Sequence, residues 1–244
     1  CKDCDLIIIT AGRNRKPGET RLDLIAGNSA ILKNVVDQMK PHYTKGVIMI
    51  VSNPVDVLAY QCTKWMELPN GMVFGTGCIL DSSRFTRLIA DYTRLNTEVV
   101  KATIVGEHGD AQIPIWSRVS IAGVPIQEYC ENVGLRWDEN IRKDISDKVR
   151  EMGATIIKGK GKTHYGIATC VCYLAEAVLN QRLTIAPVST MFQGEYGIED
   201  VCLSVPSIIG VNGVEKRLEE RWAEEEFLAF RQAAEKMRNV LKTL

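Results

Sequence analysis

Short, unbroken apolar runs separated by helix-period segments constrain this chain more than any other feature. Residues 6–10 read Leu-Ile-Ile-Ile-Thr and residues 46–51 read Gly-Val-Ile-Met-Ile-Val, continuous rather than alternating. A strand with no polar face must be covered on both sides, which points to parallel strands layered between helices. From Arg21 the spacing of Ile25, Leu32, Val36 and Met39 predicts a helix, and Pro41 stops it. Ser52-Asn53-Pro54 ends the second run and introduces a helix over 55–66 with proline near its first turn. The alternation continues with a strand near 72–74, a helix near 82–93 and a strand near 102–105, an α/β pattern.

Beyond residue 105 the texture changes. Strand-like pieces over 113–126 precede a long charged-faced helix over 137–157 and a shorter, more buried one over 165–179. Two further strand-like stretches, 185–192 and 201–211, are punctuated by glycine and proline. A terminal helix carries Phe227, Phe230, Ala234, Met237, Leu241 and Leu244 on one stripe, with Glu224, Glu225 and Glu226 where the helix dipole favours anions. Two lobes with a seam near 107–111 is the simplest division.

Composition removes several function classes. Thirty basic and thirty acidic residues cancel, so the electrostatic footprint of nucleic-acid binding and the polybasic surface that anionic membranes attract are both missing. The apolar runs are strand-sized, far short of the ~20 residues that span a bilayer. Eight cysteines without a framework spacing read as thiols of a reducing, cytoplasmic compartment. Cys1 and Cys4 have no second close pair to complete four zinc ligands, so no metal is expected.

Two glycine motifs are decoys. Gly161-Lys162-Thr163 lacks the upstream glycine of a phosphate-binding loop, since Ile156 stands there, and Gly75-Thr76-Gly77 has Leu80 where a dinucleotide fingerprint needs its third glycine. The latter reads as a tight strand-to-helix turn. The histidines are three, and His108 stands out within Gly106-Glu107-His108-Gly109-Asp110, at the carboxyl end of a predicted strand where ligands reach. Leu80-Asp81-Ser82-Ser83-Arg84-Phe85 puts Asp81 and Arg84 at i, i+3 on one helical face. A carboxylate beside an imidazole orients it and favours the imidazolium, while a free guanidinium can fork onto a substrate carboxylate.

These residues resemble the NAD-dependent L-lactate and malate dehydrogenases. Ile9-Thr10-Ala11-Gly12, Pro17-Gly18-Glu19-Thr20-Arg21-Leu22-Asp23-Leu24, Ser52-Asn53-Pro54-Val55-Asp56 and the two motifs above occur in that family's order and spacing, with Pro114 and Trp116 trailing the histidine. The resemblance covers essentially the whole chain. It implies the C-terminal half of a doubly wound Rossmann-type parallel sheet plus an α+β substrate domain, divided as residues 1–106 (a partial dinucleotide-binding domain) and 107–244 (the catalytic domain). It further implies NAD as cofactor, a small 2-hydroxy or 2-oxo acid as substrate, and a homodimer or homotetramer. By motif position, His108 is the proton acceptor and donor, Asp81 its partner, Arg84 the anchor for the substrate carboxylate, and Arg21 the residue that polarises the reacting C–O bond. Ala11, Gly12, Asn14 and Asn53 fall on the cofactor side, Asn53 also touches substrate, and Thr163 lines the substrate's third carbon.

Substrate choice stays open between two readings. The whole-chain resemblance inclines to lactate dehydrogenase. Arg15 stands where lactate enzymes tend to have Gln and malate enzymes Arg, and a guanidinium there suits a second carboxylate better than a methyl group. A non-catalytic protein of the same fold is the reading of another class. The family's GxGxxG unit has no counterpart in these residues, so the expectation is a partial sequence that exposes an edge and a face of residues 6–10.

Overall fold

A computed structural model describes residues 1–14 and 20–244, including the backbone but not the side chain of Arg21. The assignments made for Arg15 and for the Arg21 side chain lie outside these described residues. The first six elements are β1 (Leu6–Ile9), α1 (Arg21–Met39), β2 (Val47–Ile50), α2 (Val55–Met66), β3 (Val73–Gly75) and α3 (Ile79–Thr93). Strands β1, β2 and β3 pair in parallel, with Ile7 opposite Ile48 and Ile48 opposite Val73.

The unbroken apolar run of β2 is explained by its two covered faces. Ile48 and Ile50 pack with Leu32 and Val36 of α1 and Leu58 of α2. Val47 and Met49 point the other way, into a cluster with Phe74, Cys170 and Leu174. All four β2 side chains are fully buried. β1 lies at the edge of the sheet, and there Ile8 is 40% exposed while Ile9 is buried.

The remaining elements are β4 (Val100–Lys101), β5 (Ile104–Gly106), β6 (Gln112–Pro114), β7 (Ser120–Ile121), β8 (Val124–Pro125), α4 (Ile126–Val133), α5 (Glu139–Lys160), α6 (Tyr165–Leu179), β9 (Thr184–Gln193), β10 (Glu199–Gly210), β11 (Gly213–Arg217) and α7 (Glu224–Leu241). They continue the same sheet in antiparallel fashion, in the order β1-β2-β3-β9-β10-β5-β6, with β11 on β10. β4, β7 and β8 form a small second sheet. The parallel half and the α+β half are therefore joined edge to edge, the α/β architecture the resemblance implied.

One element departs from the sequence reading. Residues around 126 begin helix α4 rather than ending a strand. Helix α6 is more buried than α5, as expected: it buries Cys170, Leu174, Ala177 and Val178, whereas the longer α5 buries Ile145 and Val149, although Tyr165, Tyr173 and Leu179 of α6 stay exposed. Its apolar residues run all around the helix, whereas the sheet covers one stripe. Helix α5 follows its charged pattern, with Asp138 capping the Ile141 amide at 3.1 Å and ion pairs such as Lys148–Asp144 along its exposed face.

Candidate active site

The parallel strands and β5 point their carboxyl ends toward one region, and sequence-local features place a chemical group at each. After β3, the chain turns sharply at Gly77 (φ +54°). A Cβ there would sit 2.2 Å from Ser204 Oγ and 2.6 Å from the Ser189 amide nitrogen, so only glycine lets the turn press against β9 and β10. This is the tight turn anticipated for Gly75-Thr76-Gly77. It starts α3, whose first turn carries Asp81 and, three residues on, Arg84.

After β5, residues 107–111 connect to β6 across the paired positions Gly106 and Gln112. Gly106 and Gly109 adopt φ values of +90° and +148°, which brings His108 over the start of α3. His108 Nδ1 lies 2.6 Å from Asp81 Oδ2, and Arg84 Nη1 lies 3.4 Å from Asp81 Oδ1. The Asp81 side chain is 5% exposed, Arg84 14% and His108 26%. The acid is sealed beneath an imidazole that solvent or a ligand can still reach. With Nδ1–H donated to Asp81, Nε2 is the nitrogen left to exchange a proton with a bound molecule.

Burial of the ring opposes its charged form, but the hydrogen bond and charge of Asp81, reinforced by Asp56 and offset in part by Arg84, raise the His108 pKa above the ordinary histidine value. Arg84 also approaches α6, where burial raises the Cys170 thiol pKa and the guanidinium opposes that rise. The Gly166 Cβ position, one turn from Thr163, is 3.1 Å from Leu80 Cδ1. This end of α6 thus stands beside the start of α3. Thr163 itself is exposed, and no hydrogen bond or ion pair joins it to His108, Asp81 or Arg84.

The residues expected on the cofactor side lie at the ends of β1 and β2. Ser52 Oγ donates to the Ala11 carbonyl at 2.6 Å. Asn28 on α1, 1% exposed, donates from Nδ2 to the carbonyls of Asn53 at 2.6 Å and Arg13 at 3.1 Å, and accepts the Arg13 amide at 2.9 Å. One amide side chain therefore ties α1 to both loops. A Cβ on Gly12 would meet Ser52 Cβ at 3.3 Å, so the backbone lies close against that loop. Asn14 is exposed farther along the same segment, its carbonyl accepting from Arg13 Nη1 at 3.3 Å. Exposed backbone and amide groups at the carboxyl ends of parallel strands are the donor set that suits the nicotinamide end of a dinucleotide.

Two residues that the motif reading did not single out complete the arrangement. Asn28 lies within α1, and its loop-spanning role comes from tertiary contacts. Asp56 lies in the first turn of α2, and its Oδ2 accepts the backbone N–H of His108 at 2.8 Å. Its position three residues after the strand-end Asn53 was the available signal.

Comparison with known proteins accords with this geometry. Residues 1–75 match the family described as lactate/malate dehydrogenase, NAD binding domain, and residues 78–244 match lactate/malate dehydrogenase, alpha/beta C-terminal domain. A protein named L-lactate dehydrogenase from Acetivibrio thermocellus is 37% identical over 246 residues, covering 100% of this chain and 78% of the relative. One of the same name from Thermoanaerobacterium saccharolyticum is 41% identical over 243 residues, with the same coverage of 100% and 78%. The ligand-bound crystal structure of a minor L-lactate dehydrogenase from Enterococcus mundtii superposes with a TM-score of 0.95 at 38% identity, covering 100% of this chain and 77% of that one. The chain thus has close counterparts throughout its length, and it belongs to the lactate/malate dehydrogenase family.

Proposed function

We propose that this protein interconverts a small 2-hydroxy acid and its 2-oxo acid with NAD as hydride carrier, and that the substrate pair is L-lactate and pyruvate. The observation that carries the reading is the 2.6 Å contact between His108 Nδ1 and a buried Asp81 that also faces Arg84. Bound NAD supplies the hydride acceptor in one direction and the hydride donor in the other. His108 Nε2 takes the hydroxyl proton during oxidation and returns it to the oxygen during reduction. Asp81 holds the ring in the required tautomer and stabilises the imidazolium. Arg84 binds the substrate carboxylate, and Arg21 supplies positive charge to the alkoxide as it develops. Ala11, Gly12, Asn14 and Asn53 orient the nicotinamide end, and Thr163 bounds the substrate's third carbon.

The relatives' names favour lactate, and Arg15 favours malate. Steady-state NADH oxidation by the full-length protein with pyruvate and with oxaloacetate separates the two, with Arg15→Gln measured alongside. The lactate reading predicts a higher kcat/KM for pyruvate in the wild type. A preference for oxaloacetate that Arg15→Gln reverses establishes the malate reading instead. Absence of turnover on either acid would favour a non-catalytic member of the family.

We also infer a homo-oligomer, dimer or tetramer, supported by the uncovered apolar residues Tyr173, Leu179, Leu183 and Ile185 on α6 and around the start of β9. A cytoplasmic location is supported by eight free cysteines. No helix among the described residues is long and apolar enough to cross a membrane.

A further inference from the structure

We propose that Lys158, Lys160 and Lys162 form an electropositive rim beside the active site that draws the substrate's carboxylate toward Arg84. They govern capture of the acid and leave the chemical step alone. The inference rests on the dehydrogenase reading for the identity of the substrate and for its place at Arg84. What motivates it is a break in the charge pattern of one helix. Along α5, Arg142, Lys143, Lys148 and Arg150 each pair with a carboxylate about one turn away, on Glu139, Asp147, Asp144 and Asp147 respectively. After Glu151 the pairing stops. Residues 152–175 contain no Asp or Glu but carry three lysines at alternate positions, all exposed. Among the described residues, none of the three meets a carboxylate.

Local stability accounts for only part of this charge. Lys158 and Lys160 occupy the last turn of α5, where cations complement the helix dipole. Lys162 lies beyond that helix, just before the N-cap residue of α6, His164. There the dipole of the next helix opposes a cation, and α6 has neither an acid in its first turn nor a side-chain cap to offset it. The position of the rim follows from three contacts. Lys160 Nζ lies 4.7 Å from the centre of the Tyr165 ring, which holds it over the first residue of α6. A Cβ on Gly166 would be 3.1 Å from Cδ1 of Leu80, the neighbour of Asp81. One turn farther along α6, the Cys170 thiol feels the charges of Arg84 and Asp81. The lysines therefore border the end of α6 that flanks the substrate anchor and the acid of the dyad.

Distance and screening decide what such a rim can do. Lys162 is four residues from Gly166, at most ~13 Å of extended chain. At that separation in water each unit charge changes the local concentration of a monoanion by a factor of about 1.7, and three together by about 5. Salt confines the field to about 30 Å at 0.01 M and about 3 Å at 1 M. The effect is thus present in dilute buffer and gone in concentrated salt, whereas Arg84 binds the carboxylate by direct contact.

The test is steady-state NADH oxidation with pyruvate by the full-length protein over that range of ionic strength, at saturating NADH. Wild type is compared with the triple variant Lys158→Gln/Lys160→Gln/Lys162→Gln. In dilute buffer the variant is expected to lose about 3- to 10-fold in kcat/KM with kcat unchanged, and the gap closes at about 1 M salt. The corresponding triple Lys→Arg variant keeps the wild-type values. Lys45→Gln, at the amino end of β2 and so on the far side of the sheet from the site, removes a cation without effect. Equal kcat/KM in wild type and the glutamine variant in dilute buffer, or a gap that persists in concentrated salt, overturns the proposal. So does a loss confined to kcat/KM for NADH at saturating pyruvate, because the lysines would then serve the cofactor's phosphates.

Oxalate, a small carboxylate with no keto carbon to reduce, separates this inference from the reading beneath it. Its affinity for the protein in the presence of NADH, read by titration calorimetry, is expected to carry the same lysine-dependent salt dependence. A protein that shows this binding but turns over neither keto acid refutes the dehydrogenase reading and leaves the rim intact. Turnover without any lysine-dependent salt effect refutes the rim alone.

Discussion

The two walls of the site are built on different principles. The wall formed by α3 and the β5–β6 connection is held by side-chain charge: Asp81 joins His108 and Arg84, with Asp81 and Arg84 on α3 and His108 in the connection. The wall formed by the ends of β1 and β2 is held by hydrogen bonds to backbone, centred on Asn28 and Ser52 and joined by the Arg13 guanidinium on the Asn14 carbonyl. Among the described residues, carboxylate, imidazole and guanidinium meet on the first wall, whereas amide and hydroxyl side chains shape the backbone of the second.

The largest effect that sharpens this contrast is loss of the base. His108→Ala should lower kcat for lactate oxidation by about 10²- to 10⁴-fold while leaving binding of NADH, measured by fluorescence titration, near the wild-type value. Loss of NADH affinity in that variant would mean the walls are coupled. Asp81→Asn comes next. It leaves the imidazole unsupported, so kcat falls and the His108 midpoint drops, because the carboxylate that favoured the imidazolium is gone. The sign carries to stability: a histidine with a raised folded pKa contributes stability below its unfolded value, about 6.5, and loses it as pH rises through the folded one. Denaturant unfolding of wild type and Asp81→Asn should therefore differ most in acid and converge in alkali. A constant gap across pH would remove the ion pair as its cause.

On the other wall the expected losses are of stability. Asn28→Ala orphans the Asn53 and Arg13 carbonyls and the Arg13 amide, at about 1–3 kcal/mol for a buried group left unpaired, and this loss should be independent of pH between the carboxylate and lysine ranges. Urea unfolding at two pH values checks it. Smallest is the start of α1. Thr20 accepts the Asp23 amide at 3.1 Å while Asp23 accepts the Thr20 amide at 2.9 Å, and these bonds hold the exposed Asp23 carboxyl below its usual pKa. Thr20→Ala should cost about 0.5–2 kcal/mol as an N-cap loss, without moving the His108 midpoint.

Much of this was legible in sequence, and for identifiable reasons. The continuous apolar runs of β1 and β2 announced strands covered on both faces, and the i, i+3 spacing of Asp81 and Arg84 placed an acid and a cation on one helical turn. His108 between glycines announced a loop able to turn a side chain inward. Contacts across the sheet left no local trace. Asn28 reaches Asn53 over 25 positions and Asp56 reaches His108 over 52, and neither residue type is unusual in a helix.

The most direct measurement of the central claim, that one imidazole poised by Asp81 carries the proton in both directions, is a paired pH profile of kcat/KM for lactate oxidation and pyruvate reduction. Oxidation needs the neutral ring and reduction the imidazolium. The account predicts oxidation rising and reduction falling through a common midpoint above the ordinary histidine value, displaced downward in Asp81→Asn. Profiles with unrelated midpoints, or a midpoint unmoved by that substitution, would contradict it.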